Sequence, residues 1–148
     1  MTTPVISAFQ SHDEVALAVL LQSCELSTED ITPEMLEHFL VAYLDKALIG
    51  CAGVDVLGEV GLLRSVAVDE AHRGTGLGKR LVEAVEDMAR KEGVQQLYLL
   101  TTTAEAFFAG LGYRLLPREQ APADVAGTEQ FASLCPSSSS FMVKALNT

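Results

Sequence analysis

Apolar positions along the 148 residues change period several times, and each change marks a new element. "VISAFQ" near the start reads as a first strand. Ser11-His12-Asp13-Glu14 follows, an S-x-x-E pattern in which hydroxyl and carboxylate satisfy free helix amides reciprocally, so a helix is expected through "DEVALAVLLQSC". Thr32-Pro33 opens a second helix, because proline at the first helical position gives up an amide that had no partner there. The runs "FLVAYLD", "ALIGCAGVDVL" and "EVGLLRSVAVD" are separated only by Asp45-Lys46 and Leu57-Gly58. Such short connections predict three strands in an antiparallel meander.

The period then lengthens. Leu77, Leu81, Val82, Val85, Met88 and Ala89 recur at helical steps, the stripe of an amphipathic helix that closes near Gly93. "VQQLYLLT" predicts the next strand, and Thr102-x-x-Glu105 a second capping box opening a short helix "AEAFFAGL" that stops at Gly112. The remainder offers a strand at "YRLL", a helix within "PADVAGTEQFASL" and a last strand "SFMVKAL". Strands come before the central helix and alternate with helices after it. The expected fold class is therefore α/β, with a mixed sheet.

Length and composition narrow the reading. A chain of 148 residues with 49% apolar and 20% charged residues suits one soluble globular domain covering residues 1–148. No stretch approaches the roughly 20 uninterrupted apolar residues of a membrane span, and "MTTPVISAFQ" has neither the basic start nor the apolar run of a secretory signal. No membrane partner and a cytoplasmic location are the expectations. The formal charge of −10 argues against a nucleic-acid partner, which would require a basic face. Cys24, Cys51 and Cys135 have no short spacing, so neither a disulfide frame nor a metal site is expected.

Positive charge is nevertheless gathered in one place. Six of the ten basic residues, Arg64, Arg73, Lys79, Arg80, Arg90 and Lys91, lie in one segment, which also holds Gly74, Gly76 and Gly78. A glycine-rich loop between an apolar strand and a helix points free amides and the positive end of the helix dipole at a ligand, and phosphate is the obvious one. A G-x-x-x-x-G-K-[ST] loop fails, because Arg73 stands at the first glycine position and Arg80 follows Lys79. A G-x-G-x-x-G dinucleotide fingerprint fails at Lys79, and the meander upstream is wrong for it.

What remains is R-x-x-G-x-G, Arg73 to Gly78, after "VAVD" and before "FFAGLGY". In this arrangement nearly the whole chain resembles the GCN5-related N-acetyltransferase (GNAT) family. The resemblance implies an acetyl-CoA co-substrate, with the main chain from Arg73 through Gly74, Thr75, Gly76, Leu77 and Gly78 to Lys79 cradling its pyrophosphate. It also implies that Val66, Ala67 and Val68 offer backbone hydrogen bonds to the pantetheine arm, and that Lys79 and Arg80 add charge at the nucleotide end.

The family's proton-handling pattern breaks in this chain. A glutamate eleven residues before the loop's first arginine is Leu62 here, and the tyrosine of the later helix is Phe108. Glu59 and Tyr98 are the fallback catalytic candidates. Arg64, with Ser65 beside it, is the acceptor-binding candidate: residues two apart on a strand share a face, so Arg64 accompanies Leu62 unless a bulge intervenes. A guanidinium there would grip an oxyanion, implying a small acidic amine such as an amino acid.

"LLRSVAV", "YLLTTTAEAFFAGLGY", "LPREQAP" and "FASLCPSSSSFM" are similar to a narrower group of acetyltransferases associated with bacterial arsenic resistance. That likeness implies an arsenical or phosphinic amine as acceptor, and raises Cys135 as a soft ligand. A catalytically weak module that binds coenzyme A or senses an arsenical is the competing reading. A homodimer formed through the last strand is a further expectation.

Overall fold

The structure, a computed structural model, describes residues 3–26, 28–128, 131–132 and 139–146. Strands β1 (Val5–Ala8), β2 (Phe39–Leu44), β3 (Ala47–Leu57), β4 (Val60–Val68), β5 (Gln96–Thr101), β6 (Arg114–Leu115) and β7 (Ser140–Ala145) form one sheet in the order β1-β2-β3-β4-β5-β7-β6. All neighbours are antiparallel except β4 and β5. That pair is parallel because helix α3 (Leu77–Lys91) carries the chain back across the sheet between them. The mixed α/β sheet read from the sequence is what forms.

Alternation along the strands divides the core. Ala42, Ala52, Val54, Leu63, Leu97, Leu99 and Met142 turn to one face, where they meet the Leu77, Leu81, Val82, Val85 and Ala89 stripe of α3. Helix α4 (Glu105–Gly110) adds Phe108 to that layer. On the other face Phe39, Val41 and Cys51 meet Leu17, Leu20 and Leu21 of α1 (Glu14–Ser23). Further along this second face, Leu62, Tyr98, Phe141 and Val143 pack with Val125 of α5 (Ala123–Ala126).

Gly53 lies directly across from Phe39 in the β2–β3 pair. A Cβ there would lie 2.4 Å from the ring of Phe39, which is fully buried. Gly53→Ala is expected to cost about 1–3 kcal/mol, the usual range for overpacking, because the ring has no room to retreat. Urea unfolding of the variant measures it.

Several local expectations are revised. A 3-10 turn, Ser11–Asp13, leads into α1, and its start is closed by the Asp13 carboxylate, which accepts from the Gln10 amide at 2.9 Å and from the Tyr43 hydroxyl, rather than by Ser11 and Glu14. Thr32 does cap α2 (Pro33–Leu36), accepting from the Met35 amide at 3.2 Å. Thr101 instead of Thr102 accepts the Ala104 amide before α4 at 3.0 Å, and Glu105 receives the Ser140 hydroxyl at 2.7 Å. The helix expected within "PADVAGTEQFASL" appears as α5 (Ala123–Ala126), and residues 129–130 and 133–134 of that stretch lie outside the described residues. β7, the last strand, lies between β5 and β6, and β6 pairs with it at Met142 and Val143. Cys135 lies outside the described residues.

Candidate active site

β4 and β5 pair only where Val60, Gly61 and Leu62 face Gln96, Leu97 and Tyr98. Beyond Leu62 the strands part, and a cleft of about 710 Å³ opens between them. Leu63–Val68 line one wall; the end of β5, the following threonines and Phe107–Phe108 of α4 line the other. With β5 gone, the backbone of β4 beyond Leu62 has strand hydrogen bonds only to β3, which leaves an edge free inside the cleft.

A bulge modifies that edge. Arg64 faces Gly53 and Ala67 faces Cys51, so Ser65 and Val66 together span the single residue Ala52. Ser65 takes φ +57°, a left-handed conformation that β-strand residues avoid, and its carbonyl accepts from the Cys51 thiol at 3.1 Å. Burial pushes the Cys51 thiol up to about 12, so it remains a protonated donor behind the bulge.

The glycine loop stands at the mouth of the cleft. Gly74 and Gly76 take φ +78° and +87°, and nothing lies within 4 Å of where their Cβ atoms would be, so bare backbone borders open space. Gly76 is the N-cap of α3 and no side chain caps the helix. The first main-chain bond back into that cap is Arg80 N to Gly76 O at 3.1 Å, so the amides of Leu77, Gly78 and Lys79 point out of the helix start without an intrahelical acceptor. Arg73 ties the loop down by donating from Nε to the Val68 carbonyl at 3.0 Å, and Thr75 donates to the His72 carbonyl at 2.8 Å. A Cβ at Gly78 would come within 3.3 Å of the Phe107 ring, so glycine also lets α4 approach α3. These residues fit the diphosphate of a coenzyme A nucleotide: backbone donors, a fifteen-residue helix dipole and no steric cover.

Of the two cations expected at the nucleotide end, Lys79 lines the cleft. Arg80 is turned away, donating to the Pro4 carbonyl at 3.1 Å.

Leu62 of β4 and Phe108 of α4, which stand at the two expected proton-handling positions, have no group that can move a proton. Leu62 is buried against Tyr98, Val125 and Phe141, and Phe108 packs edge-on to Tyr113 with ring centroids 5.8 Å apart. Tyr98 is buried in the same cluster, stacked on Phe141 at 5.6 Å. Glu59 sits exposed in the β3–β4 turn, at the closed end of the strand pair, where its carbonyl accepts from the Gln95 amide at 2.7 Å. The structure thus brings neither Glu59 nor the Tyr98 ring to the cleft lining. Glu59→Gln is expected to change unfolding free energy by no more than about 0.5 kcal/mol, as exposed surface changes generally do, in urea denaturation.

Arg64 does share a face with Leu62, since the bulge begins only after it. Its fork, however, closes on a carboxylate of this same chain. Nη2 donates to Asp30 Oδ1 at 2.6 Å, Nη1 donates to Asp30 Oδ2, and Nε donates to the Ser65 hydroxyl at 3.2 Å. Nη1 also lies 3.5 Å from Asp55 Oδ2. Burial alone would lower the guanidinium's pKa, but pairing with Asp30 and Asp55 carries it above its usual value. Arg64 and Ser65 are therefore part of a buried ion-pair cluster rather than an open clamp for an acceptor oxyanion.

Two participants escaped sequence reasoning. Asp55 is a lone carboxylate in the apolar run "ALIGCAGVDVL", which was the available signal. Cys24 lines the cleft with its sulfur 3.5 Å from Arg73 Nη2, a contact between residues 49 apart that no local pattern announces.

Comparison with known proteins places these features in context. The model of the acetyltransferase (GNAT) family matches residues 8–113. An uncharacterized N-acetyltransferase of Chlorobaculum tepidum is 31% identical over 65% of this chain and 61% of its own length. A putative acetyltransferase of Bacillus subtilis is 32% identical over 72% of this chain and 76% of its own. Amino-acid acetyltransferases of Pseudomonas aeruginosa are 28% identical over 70% of this chain, which spans only 24% of their length. Among solved structures, N-acetylglutamate synthase from Neisseria gonorrhoeae, complexed with coenzyme A and N-acetyl-glutamate, superposes with TM-score 0.86 at 21% identity over 100% of this chain and 36% of its own. The Mycobacterium tuberculosis protein Rv2747, in complex with CoA and NLQ, does so with TM-score 0.82 at 25% identity, over 97% of this chain and 99% of its own.

Proposed function

Because the chain belongs to the acetyltransferase (GNAT) family, we propose that it transfers the acetyl group of acetyl-CoA to the nitrogen of a small amine of the amino-acid class. The observation that carries this reading is the uncapped start of α3, with its unpaired amides beside Gly74 and Gly76 at the mouth of the β4–β5 cleft. Acetyl-CoA supplies the activated thioester. The chain's own part is to hold the diphosphate on the main chain of Arg73–Lys79, with Lys79 adding charge, and to lay the amide-bearing arm along the free β4 edge at Val66–Val68. The Val66 amide, displaced by the bulge and without a strand partner across from it, supports polarisation of the thioester oxygen.

Positioning then does most of what proton-transfer side chains do elsewhere, since orientation alone can supply on the order of 7 kcal/mol of barrier reduction. The amino-acid class is favoured by the relatives named amino-acid acetyltransferases and by the N-acetyl-glutamate bound in the solved structure from Neisseria gonorrhoeae. Arg64 lends that class no direct support, because Asp30 fills its fork.

The second reading, a module that binds coenzyme A with little chemistry, is favoured by Leu62 and Phe108, neither of which moves protons. A panel decides between them. Amino acids, simple alkyl amines, and arsenical and phosphinic amino-acid analogues are incubated with acetyl-CoA while free thiol is followed. Turnover with an amino acid supports the proposal, and turnover only with the oxyanion-bearing analogues moves the acceptor to that class. Tight coenzyme A binding with no thiol released for any amine supports the module.

A further inference from the structure

A free amine reaches the cleft at neutral pH as an ammonium, and it must lose a proton before its nitrogen can attack a thioester. Leu62 and Phe108 cannot take that proton. Among the titratable side chains on the cleft lining, Arg64 is held by Asp30, while Arg73 and Lys79 are cations of the glycine loop. His72 stands at the same end, its Nδ1 3.1 Å from Asp69 Oδ2. Cys24 turns its sulfur to the Val68 carbonyl at 3.9 Å and to Arg73 Nη2 at 3.5 Å. β5 and α4 contribute threonines and phenylalanines, which do not titrate in this range. Glu25 is left, the one carboxylate on the lining among the described residues.

Its neighbours fix its place. The connection from α1 to α2 is fastened to β4 at both ends of the free edge: Cys24 touches Val68, and Asp30 pairs with Arg64. Between those anchors β4 carries Ser65, Val66 and Ala67, so Glu25, directly after Cys24, borders the strand edge along which the thioester arm is laid. The Glu25 side chain is exposed, with no hydrogen bond or ion pair among the described residues. The backbone holds it there in a conformation that suits glycine better. Glu25 takes φ +59°, its amide donating to the Gln22 carbonyl at 3.0 Å and the Leu26 amide to the Leu21 carbonyl at 2.9 Å, a closing turn of α1. A glutamate at such a position, unpaired and facing a substrate cleft, fits a residue kept for its chemistry rather than for the fold.

Resting on the acetyl-transfer reading, we propose that Glu25 is the general base of the reaction. The Glu25 carboxylate takes one proton from the acceptor ammonium, directly or through a water, and so frees the nitrogen lone pair. That pair forms the bond from nitrogen to the acetyl carbon, and the carbon–sulfur bond breaks with its electrons on sulfur. The second proton leaving nitrogen neutralises the thiolate, and Glu25 returns the first to solvent. The products are the N-acetylated amine, coenzyme A thiol and one proton, and no oxidant or metal enters.

Steady-state thiol release from acetyl-CoA, with each of the common amino acids as acceptor and across a range of pH, tests the assignment in the full chain. Glu25→Gln should lower kcat/KM by about a hundredfold at neutral pH, the lower end of what a positioned base supplies, with the Kd for acetyl-CoA unchanged by calorimetry. The deficit should shrink as the pH rises toward the pKa of the amine, because the variant can use only amine that is already neutral. Glu25→Gly separates chemistry from fold: it relieves the positive φ, so it should melt at or above the parent temperature while losing activity as Glu25→Gln does. An active parent whose Glu25→Gln and Glu25→Gly variants stay within about threefold, or whose deficit is the same at every pH, overturns the base alone. A parent that binds acetyl-CoA but acetylates none of these amines overturns the acetyl-transfer reading, and the base with it.

Discussion

Gly76→Val is expected to lower acetyl-CoA affinity by about a hundredfold or more while leaving the fold intact. Gly76 stands at φ +87°, where a β-branched residue is strained by roughly 1–2 kcal/mol, so the valine chain relieves itself by rotating the loop. Rotation takes the Leu77 and Gly78 amides off the diphosphate. Each charge-assisted bond lost is worth about 1.5–3 kcal/mol, so two of them exceed a hundredfold in Kd. No atom lies within 4 Å of the Gly76 Cβ position, so the side chain itself clashes with nothing. Calorimetry with acetyl-CoA reads the affinity and a thermal melt the fold. A variant that melts normally yet binds as well as the parent would show that these amides hold nothing.

The second large effect concerns stability. Arg64→Ala should cost about 3–5 kcal/mol, because it leaves Asp30 and Asp55 buried without their shared cation. For a chain of this size that is a fall of roughly 10 °C or more in Tm. The cost belongs to the uncompensated carboxylates rather than to lost attraction. Replacing all three members together, Arg64→Met with Asp30→Leu and Asp55→Leu, should therefore recover most of it, since apolar groups of similar volume often match a buried ion cluster. Urea denaturation of the single and triple variants measures both. A triple variant as unstable as Arg64→Ala would mean that the cluster contributes net attraction.

The two cases differ in how much of them the sequence announces. The glycine loop is legible because its chemistry is local: the positive φ values, the uncapped helix start and the preceding strand all fall within Val66 to Lys79. The strands β3 and β4 are legible for the same reason, since alternation and two-residue connections fix them, and their observed bounds fall within a residue of those expected. The expected closing strand likewise appears as β7.

What strand periodicity cannot give is the partner of a side chain across the sheet. Arg64 shares the Leu62 face as the spacing implies, but the residue that fills its fork, Asp30, comes from the loop before α2, 34 positions away. Glu59 looked usable because it lies three positions from Leu62, whereas the sheet puts it at the closed end of the strand pair. Buried polar links such as Glu86 of α3 with Tyr113 at 2.8 Å and Lys144 at 3.0 Å are invisible for the same reason, being contacts between distant segments.

The central claim is that main-chain donors at the start of α3 hold the diphosphate of coenzyme A. Parallel titrations of the unmodified protein with coenzyme A and with pantetheine, which carries the thiol arm but no diphosphate, test it most directly. Micromolar binding of coenzyme A with pantetheine at least a hundredfold weaker is the predicted result; equal affinities, or no heat with coenzyme A, would contradict it.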